Sequence, residues 1–272
     1  MTSERIKQFL ESVKPEKAYN NFLKDKRVAI VGPSKHILLE NNGNKIDDYD
    51  IVIRLKWLPM KGFNQFKDAV GDETHVVYSS AKYIQSDFEV LQHTGVVHTR
   101  HPECAAGNES ENTTHYGILA TSYTSEQYAF ILKEYATAHG YRQNKVMNIN
   151  SKSGYAVWPQ LGFNAIMESI ASDAKEVYIT GFTMYHGGGH MLQKNKPLKH
   201  NKTIIEKHNG VLEVLMLRDV LKYVETKEKT IILDSVLKNI LDGYNDVEQD
   251  KESLTFVMDK LTDEINNLVK DL

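Results

Sequence analysis

Short apolar segments alternate with longer amphipathic segments, and this feature of the sequence restricts the fold most. The short segments predict five strands, at 28–31, 50–54, 74–78, 95–98 and 176–180. The longer segments have apolar residues at helical spacing and predict helices at 4–24, 125–139, 159–174 and 203–224. Strands that alternate with helices form parallel βαβ units, whose sheet is covered on both faces. The sequence therefore predicts an α/β protein with a Rossmann-like, doubly wound, mostly parallel sheet.

The residues that directly follow the predicted strands are the first candidates for a binding site. In a doubly wound sheet, ligands bind at the carboxyl ends of the strands. The residues at those ends are Gly32, Pro33 and Ser34, then Arg54 and Lys56, then Ser79 and Ser80, and finally Gly181 and Phe182.

The Gly32-Pro33-Ser34 turn can bring backbone N–H groups close to a phosphate, with Ser34 as a further donor. A tight strand-to-helix turn without a ligand would have the same sequence. Two common phosphate-binding patterns, G-x-G-x-x-G and Walker A, are absent from the sequence. Arg54 can pair with a phosphate or carboxylate in a bidentate manner, or it can be an exposed arginine at a strand end.

The C-terminal residues 229–272 are predicted to form a helical tail after a main domain over 1–228. Its apolar residues are spaced alternately four and three apart, at Leu254, Met258, Leu261, Ile265, Leu268 and Leu272. This heptad pattern is too short for a free-standing coiled coil. We therefore expect the apolar side to pack on the main domain or against a second copy in a homo-oligomer.

Composition excludes several classes of protein. The chain has 33 Lys+Arg and 36 Asp+Glu, a net charge of −3, which argues against a dedicated nucleic-acid binder. Its single cysteine, Cys104, excludes an internal disulfide and a multi-cysteine metal centre. The sequence shows no secretory signal, and it has no apolar run of the ~18 residues that a membrane span needs. We expect a cytoplasmic protein, and peripheral attachment to a membrane stays open.

Histidines are concentrated late in the chain, at His186, His190, His200 and His208. A metal site is one interpretation, but the spacing does not fit H-E-x-x-H and no carboxylates complete a ligand set, so no metal ligands are predicted. The run Gly187-Gly188-Gly189 is typical of a mobile loop such as an active-site lid. His208 comes just before an apolar helix, where it can act as a general base near neutral pH or have a structural role.

Three patterns occur in an order that resembles the sialyl motifs of sialyltransferases, glycosyltransferase family 29. The segments Val28-Ala-Ile-Val-Gly-Pro-Ser34 and Ile46-Asp-Asp-Tyr-Asp-Ile-Val-Ile-Arg54 are similar to the large motif. The segments Pro159-Gln-Leu-Gly162 and Glu176-Val-Tyr-Ile-Thr-Gly-Phe182 are similar to the small motif. His208-x-x-x-x-Glu213 has the spacing of the very small motif. The Gly-Pro-Ser turn and Gly181-Phe-Thr-Met-Tyr185 are closer to the bacterial family 42 CMP-sialic-acid transferases.

This resemblance implies a nucleotide-sugar-binding glycosyltransferase domain over 1–228, with the sialyltransferase variant of the GT-A fold. It implies inverting, metal-independent transfer from a CMP-sugar to a glycan or glycolipid acceptor, with no cofactor. It also implies that His208 is the general base, and that Tyr185 with His186 or His190 stabilises the leaving CMP phosphate. The nucleotide contacts that it implies are Gly32, Pro33, Ser34, Arg54, Lys56, Ser79, Gln160, Leu161, Gly162, Gly181 and Phe182.

The sequence also departs from the family patterns. Lys56 stands where the large motif has asparagine, and Pro159-Gln-Leu-Gly162 replaces Pro-Ser-Thr-Gly. The disulfide of the animal enzymes is absent, which fits a reducing compartment. Lys56 can bind a phosphate, or it can mark a transferase for another CMP-activated ulosonic acid such as Kdo. Two further alternatives are a different nucleotide-dependent enzyme on the same fold and a non-catalytic nucleotide- or carbohydrate-binding protein.

Overall fold

A computed structural model of the chain describes residues 2–55, 63–79, 96–99, 119–122, 160–191, 210–227, 229–247 and 251–272. Its strands are β1 (Arg27–Val31), β2 (Ile51–Leu55), β3 (Val76–Ser79), β4 (Val96–Thr99), β5 (Leu119–Ser122), β6 (Glu176–Thr180) and β7 (Thr230–Leu233). Its helices are α1 (Ser3–Ser12), α2 (Lys17–Leu23), α3 (Gly43–Asp47), α4 (Lys67–Val70), α5 (Leu161–Ala171), α6 (Gly210–Val224), α7 (Ser235–Gly243) and α8 (Lys251–Leu268). Two 3₁₀ turns cover Lys35–Leu39 and Phe63–Phe66.

In the described residues, the strands form one sheet in the order β5-β4-β3-β2-β1-β6-β7. Every neighbouring pair is parallel. From β1 the chain adds strands outward to β5, then returns to place β6 on the other side of β1. This reversal between β1 and β6 is the topological switch point, where doubly wound proteins bind ligands. The predicted α/β fold with a parallel sheet is confirmed.

Alternate residues of β1 face two separate hydrophobic cores. Val28 and Ile30 belong to the larger core, which α1, α2, α5, α6, α7 and α8 cover. Ala29 and Val31 belong to the smaller core, which the first 3₁₀ turn, α3 and α4 cover. These four side chains are at most 3% exposed. Because both faces of the strand are buried over 28–31, these four residues are all apolar, which is why the strand is recognisable from sequence.

The helix predictions are confirmed with changed boundaries. The helix predicted over 4–24 is divided into α1 and α2. Pro15 lies between them, where its ring and missing N–H prevent a continuous helix. The helices predicted at 159–174 and 203–224 correspond to α5 and α6. The helix predicted at 125–139 lies outside the described residues.

Two strands, β5 and β7, lie in segments for which the sequence predicts none. β7 pairs in parallel with β6, with Val177 opposite Ile231. The sheet therefore continues past the domain boundary predicted at residue 228, and the tail predicted to be helical over 229–272 begins with a strand. After β7, the Asp234 side chain accepts a hydrogen bond from the Leu237 amide and so caps α7.

The apolar side of α8 packs mainly on the rest of the chain. Leu254, Leu261 and Ile265 are at most 4% exposed and belong to the larger core. Farther along, Leu268 is 49% exposed and Leu272 is 46% exposed. Most of the heptad residues of α8 therefore pack on the main domain, which is one of the two expected arrangements. The homo-oligomer stays a prediction. No helix in the described part of the chain is long and apolar enough to cross a membrane.

Candidate active site

Two glycines bring the ends of β1 and β6 into direct backbone contact at the switch point. The Gly32 amide donates to the Thr180 carbonyl at 2.8 Å, and the Ser34 amide donates to the Gly181 carbonyl at 3.0 Å. A Cβ on Gly32 would overlap the Gly181 carbonyl oxygen, and Gly181 also has a φ of +78°. Both positions therefore need glycine for the close approach of the two chain segments. Nucleotide contacts by Gly32 and Gly181 stay predictions.

The Phe182 ring connects this pair of strand ends with the first turn of α5. A Cβ on Gly162 would lie 2.6 Å from the Phe182 ring, and a Cβ on Gly32 would lie 3.0 Å from it. Phe182 itself is buried. Gly162 and Phe182, predicted as nucleotide contacts, thus have a packing role in this structure. Their contact places the N-terminus of α5, including Gln160 and Leu161, at the same edge of the sheet as the Gly32-Pro33-Ser34 turn.

Glu213 extends from the first turn of α6 to the N-terminus of α5. Its Oε1 accepts a hydrogen bond from the Gln160 amide at 2.7 Å, and in the described structure its Oε2 has no hydrogen-bond partner. Burial raises the pKa of Glu213 to about 8, although the Gln160 amide lowers it. The carboxyl group is therefore mainly protonated at neutral pH, and it can donate a hydrogen bond.

Tyr185 lies close to Glu213, next to the first residue of α6, Gly210. Its Cβ is 3.7 Å from the position of a Cβ on Gly210, and its φ of +62° is in the left-handed region. Burial, and then the charge of Glu213, raise the pKa of Tyr185 to about 12. Its hydroxyl group is thus neutral at any physiological pH and can donate a hydrogen bond. The structure thus places two of the implied residues, Gln160 and Tyr185, next to Glu213 of the very small motif.

His190 lies beside the Gly32-Pro33-Ser34 turn. It forms an antiparallel bridge with Ser34, and next to it the Met191 amide donates to the Pro33 carbonyl at 2.9 Å. Burial lowers the pKa of His190 to about 4, so its ring is neutral at pH 7. His190 is thus a neutral group next to the Gly32-Pro33-Ser34 turn, and its contact with the leaving phosphate stays a prediction.

The glycine run Gly187-Gly188-Gly189, for which a mobile loop such as an active-site lid is predicted, is packed against the protein in this structure, and its mobility stays a prediction. All three residues have positive φ, and Gly187 and Gly188 are buried against α8. The Gly188 amide donates to Oδ1 of Asn266 on α8 at 3.0 Å. The loop is closed against the body of the protein because glycine alone allows this backbone to approach the helix so closely.

His186 supports this loop from inside the protein. Its Nδ1 lies 3.0 Å from the carbonyl oxygens of Thr183 and Met184, and its Nε2 lies 2.7 Å from the Tyr244 hydroxyl. Burial lowers the pKa of His186 to about 4, so the ring is neutral, with Nδ1–H donating and Nε2 accepting. These contacts give His186 a structural role. Of the two histidines that the resemblance implies as partners of Tyr185 at the leaving phosphate, His190 is therefore the better candidate.

Arg54 has a different role from the predicted phosphate contact. Its Nε donates to the Glu73 carbonyl at 3.0 Å and to Oγ1 of Thr74 at 2.9 Å, and an Nη donates to the Val70 carbonyl at 2.7 Å. The residue is 2% exposed, and burial lowers the pKa of Arg54 to about 10. These donors hold the segment between α4 and β3, so the prediction is corrected: the side chain is buried within the fold.

Sequence reasoning missed a buried cluster of Ser34, His36 and Asp234. His36 Nδ1 lies 3.1 Å from the Ser34 hydroxyl, and its Nε2 lies 3.0 Å from Oδ2 of Asp234. The same carboxylate accepts from the amides of Gly181 and Leu237, each at 2.7 Å. Burial raises the pKa of Asp234, but the hydrogen bonds from His36 and the two amides outweigh it, and the net pKa is lowered. The available signal was a polar residue shortly after a strand: Asp234 directly follows β7, and Ser34 comes three residues after the end of β1.

Several predicted residues lie outside the described part of the chain. They include Lys56, Ser80, His200 and the proposed base His208. Ser79 ends β3, and only its backbone is described. In the described residues, no group of three or more His, Cys, Asp or Glu side chains could hold a metal ion.

Comparison with known protein families identifies the family of this chain. The family model "Glycosyltransferase family 29 (sialyltransferase)" matches residues 1–152, more than half of the chain. No curated protein matches the sequence.

Solved structures show a distant likeness. A mammalian sialyltransferase in complex with Gal-beta-1-3GalNAc-ortho-nitrophenol is 15% identical, with a TM-score of 0.48 over 86% of this chain and 79% of that chain. The sialyltransferase CstII from Campylobacter jejuni, in complex with cytidine-5'-monophosphate, is 14% identical, with a TM-score of 0.42 over 77% of this chain and 80% of that chain. The family assignment rests on the family model.

Proposed function

Because the chain belongs to glycosyltransferase family 29, the sialyltransferases, we propose that it transfers sialic acid from CMP-sialic acid to a hydroxyl group of a glycan. A related ulosonic acid such as Kdo is the alternative donor sugar, since Lys56 replaces the asparagine of the large motif. The proposal includes inversion at the anomeric carbon and catalysis without a metal ion.

The observation that supports this proposal is the meeting of the Gly32-Pro33-Ser34 turn, the α5 N-terminus and Tyr185 at the switch point. In the described structure, the side chain of the α5 N-cap residue, Gln160, does not cap the helix. The first amide groups of α5, together with the helix dipole, therefore suit a phosphate group. The CMP phosphate would bind here, across the carboxyl ends of β1 and β6.

In the proposed reaction, His208 removes the proton from the acceptor hydroxyl. The acceptor oxygen forms a bond to the anomeric carbon, while the bond from that carbon to the phosphate oxygen breaks and CMP leaves with the electron pair. Attack from the side opposite CMP inverts the anomeric configuration. General base catalysis of this kind contributes about 10²–10⁴-fold to a rate.

Tyr185 and His190 would stabilise the departing phosphate by hydrogen bonds. Both are neutral at pH 7, because burial raises the pKa of Tyr185 to about 12 and lowers that of His190 to about 4. Neutral donors and a helix N-terminus can balance the charge of a single phosphate, which supports a metal-free mechanism.

A donor-turnover assay with the full chain tests the proposal. The protein is incubated with CMP-sialic acid or CMP-Kdo and a mixture of glycan acceptors, and released CMP is measured with and without EDTA. We expect CMP release with one of these donors, unchanged by EDTA. His208→Ala should abolish release but keep CMP binding, since the base acts on the acceptor. Loss of turnover in EDTA that Mn²⁺ restores would contradict the metal-free mechanism, and near-normal turnover in His208→Ala would exclude His208 as the base.

A further inference from the structure

The turn that carries Tyr185 has an unfavourable backbone conformation. The His186 amide donates to the Thr183 carbonyl at 2.8 Å, which closes a four-residue turn over 183–186. The two central residues of this turn, Met184 and Tyr185, have φ of +46° and +62°. A turn with positive φ at both central positions normally has glycine, asparagine or aspartate there, because larger side chains are strained in this region. Met184 and Tyr185 therefore keep this conformation because surrounding groups hold it.

His186 holds the turn from inside the protein. Its Nδ1 lies 3.0 Å from the carbonyl oxygens of Thr183 and Met184, so Nδ1 carries the ring proton and donates to both. The Met184 carbonyl also packs against the first residue of α6, since a Cβ on Gly210 would overlap its oxygen. The peptide group between Met184 and Tyr185 is thus fixed between the imidazole ring and α6.

Tyr244 fixes the His186 ring. The Tyr244 hydroxyl lies 2.7 Å from Nε2, and the two rings meet edge to face, with centroids 5.5 Å apart and an interplanar angle of 81°. Burial lowers the pKa of His186 to about 4, so Nε2 of the neutral ring is an acceptor and the Tyr244 hydroxyl is the donor. Tyr244 is fully buried directly after α7, and its carbonyl accepts from Arg218 on α6. The group that supports the turn is therefore itself held at both its ring and its backbone.

We propose that Tyr244 is a positioning residue of the transfer reaction, which acts through His186 to hold the Tyr185 hydroxyl at the leaving phosphate. The hydroxyl of Tyr244 orients the imidazole, the imidazole binds the carbonyl groups of the turn, and the turn directs Tyr185. Tyr244 has no exposed surface, so it acts on the phosphate only through these contacts. This inference rests on the proposed function, since it needs Tyr185 at the CMP phosphate.

The expected effect is on the transition state more than on binding of the donor. Negative charge on the phosphate grows as its bond to the anomeric carbon breaks, so a hydrogen bond from Tyr185 stabilises the transition state most. Loss of one such donor lowers kcat by about 10²–10³-fold. A Tyr185 hydroxyl that is present but poorly held should lose part of this effect, about tenfold in kcat, with the KM for the CMP-sugar changed by less than about twofold.

Steady-state kinetics of the full chain, with the CMP-sugar that the wild type uses, tests the proposal. Tyr244→Phe removes only the hydroxyl and keeps the ring that packs against His186. We expect a lower kcat in Tyr244→Phe and a still lower kcat in Tyr185→Phe. The double variant should be no slower than Tyr185→Phe alone, because a residue that acts through the Tyr185 hydroxyl has no effect once this hydroxyl is absent. A purely structural role would instead lower kcat by the same factor in both backgrounds.

Tyr49→Phe is the matched control. Tyr49 is also buried and also packs on an aromatic ring, that of Tyr178, but it lies before β2, at the amino ends of the strands. Its kcat and KM should equal those of the wild type. If Tyr244→Phe fails to fold, His186→Asn gives the same comparison with Tyr185→Phe, since asparagine keeps an N–H for the turn but is too short to reach Tyr244.

A wild-type kcat in Tyr244→Phe, or equal factors in both backgrounds, would overturn the role of Tyr244 and leave the proposed function intact. A wild-type kcat in Tyr185→Phe would overturn it as well, because no reaction step would then depend on the turn. Absence of turnover by the wild type with both CMP-sialic acid and CMP-Kdo would overturn the proposed function and this inference together.

Discussion

Glu213 is a fully buried carboxyl group whose only hydrogen bond in the described structure is the one from the Gln160 amide. A carboxyl group in this environment binds its proton more tightly in the folded protein than in the unfolded chain. Burial raises the pKa of Glu213 from 4.5 to about 8. Between these values the folded state binds more protons than the unfolded state, so the free energy of unfolding falls as the pH rises.

Glu213→Gln should remove this pH dependence. Glutamine keeps an oxygen for the Gln160 amide but does not ionise, so the variant should gain stability relative to the wild type as the pH rises from 4.5 to 8. The difference should reach a few kcal/mol, about 1.4 kcal/mol for each unit of pKa shift. Urea unfolding at several pH values measures it. Glu225→Gln is the control, because Glu225 directly follows α6 and is exposed. If the free energy of unfolding depends on pH in the same way in both variants, burial of Glu213 is not the cause of the pH dependence.

Arg54 was predicted to contact a phosphate, but its hydrogen bonds stabilise the fold instead. Replacing it by glutamine leaves carbonyl groups of Val70 and Glu73 without their charged donor. Each unsatisfied buried group costs about 1–3 kcal/mol. We expect Arg54→Gln to lower the free energy of unfolding by several kcal/mol, with CMP affinity changed little.

The control for Arg54→Gln is Arg27→Gln at the start of β1. The Arg27 side chain is 39% exposed and pairs with Asp48 and Glu176. Exposed pairs of this kind contribute about 0–1 kcal/mol each. Denaturant unfolding and a CMP titration on both variants decide between the two roles of Arg54. A large loss of CMP affinity at unchanged stability would restore the predicted phosphate contact.

At the scale of single residues, the sequence shows which residues stand at strand ends but not where their side chains point. Ser34, Tyr185 and His190 lie at the predicted edge. Arg54 stands at the right strand end as well, but its long side chain turns to the carbonyl groups before β3. His36 and Asp234 are 198 positions apart, and only the fold brings them together.

Among the elements, α8 is the one whose role the sequence left open. Leu261 is 4% exposed, and its Cδ1 would lie 3.0 Å from a Cβ on Gly243 of α7. The same helix contacts the glycine loop through Asn266, whose Oδ1 accepts from the Gly188 amide. The helix therefore stabilises both the larger core and the segment that includes His190.

Leu261→Ala should lower the free energy of unfolding by about 2–5 kcal/mol, because it leaves a cavity between α7 and α8. Phe256→Ala is a matched control on the same helix, since Phe256 is 69% exposed and its loss should cost little. Thermal and urea unfolding of both variants give the comparison. Equal stability of the two variants would show that α8 does not pack on the body of the protein as described.

The elements that sequence reasoning found are those with a strong local pattern. β1, β2 and β6 each contain a run of apolar residues that is buried on both faces, at 28–31, 51–53 and 177–179. The sequences of β5, Leu119-Ala-Thr-Ser122, and of β7, Thr230-Ile-Ile-Leu233, are short, and β7 is an edge strand that is partly exposed. Their pairing is set by the neighbouring strands, so the local sequence carries little of the signal.

For the whole molecule, the order of the strands determines where chemistry can occur. The reversal between β1 and β6 leaves one crevice at the carboxyl edge, and the sequence motifs after both strands meet there. The class of fold and this edge were predictable because both follow from the alternation of strands and helices. The packing of the glycine loop could not be predicted in this way, because it depends on contacts with α8, which lies about 70 residues later in the sequence.

Mass spectrometry of glycan acceptors, after incubation of the full chain with CMP-sialic acid or CMP-Kdo, tests the proposed transfer itself. We expect an acceptor whose mass increases by one ulosonic acid residue, with an equal amount of CMP released and no product with His208→Ala. Release of CMP without any modified acceptor, or no change in either, over a broad set of glycans would contradict it.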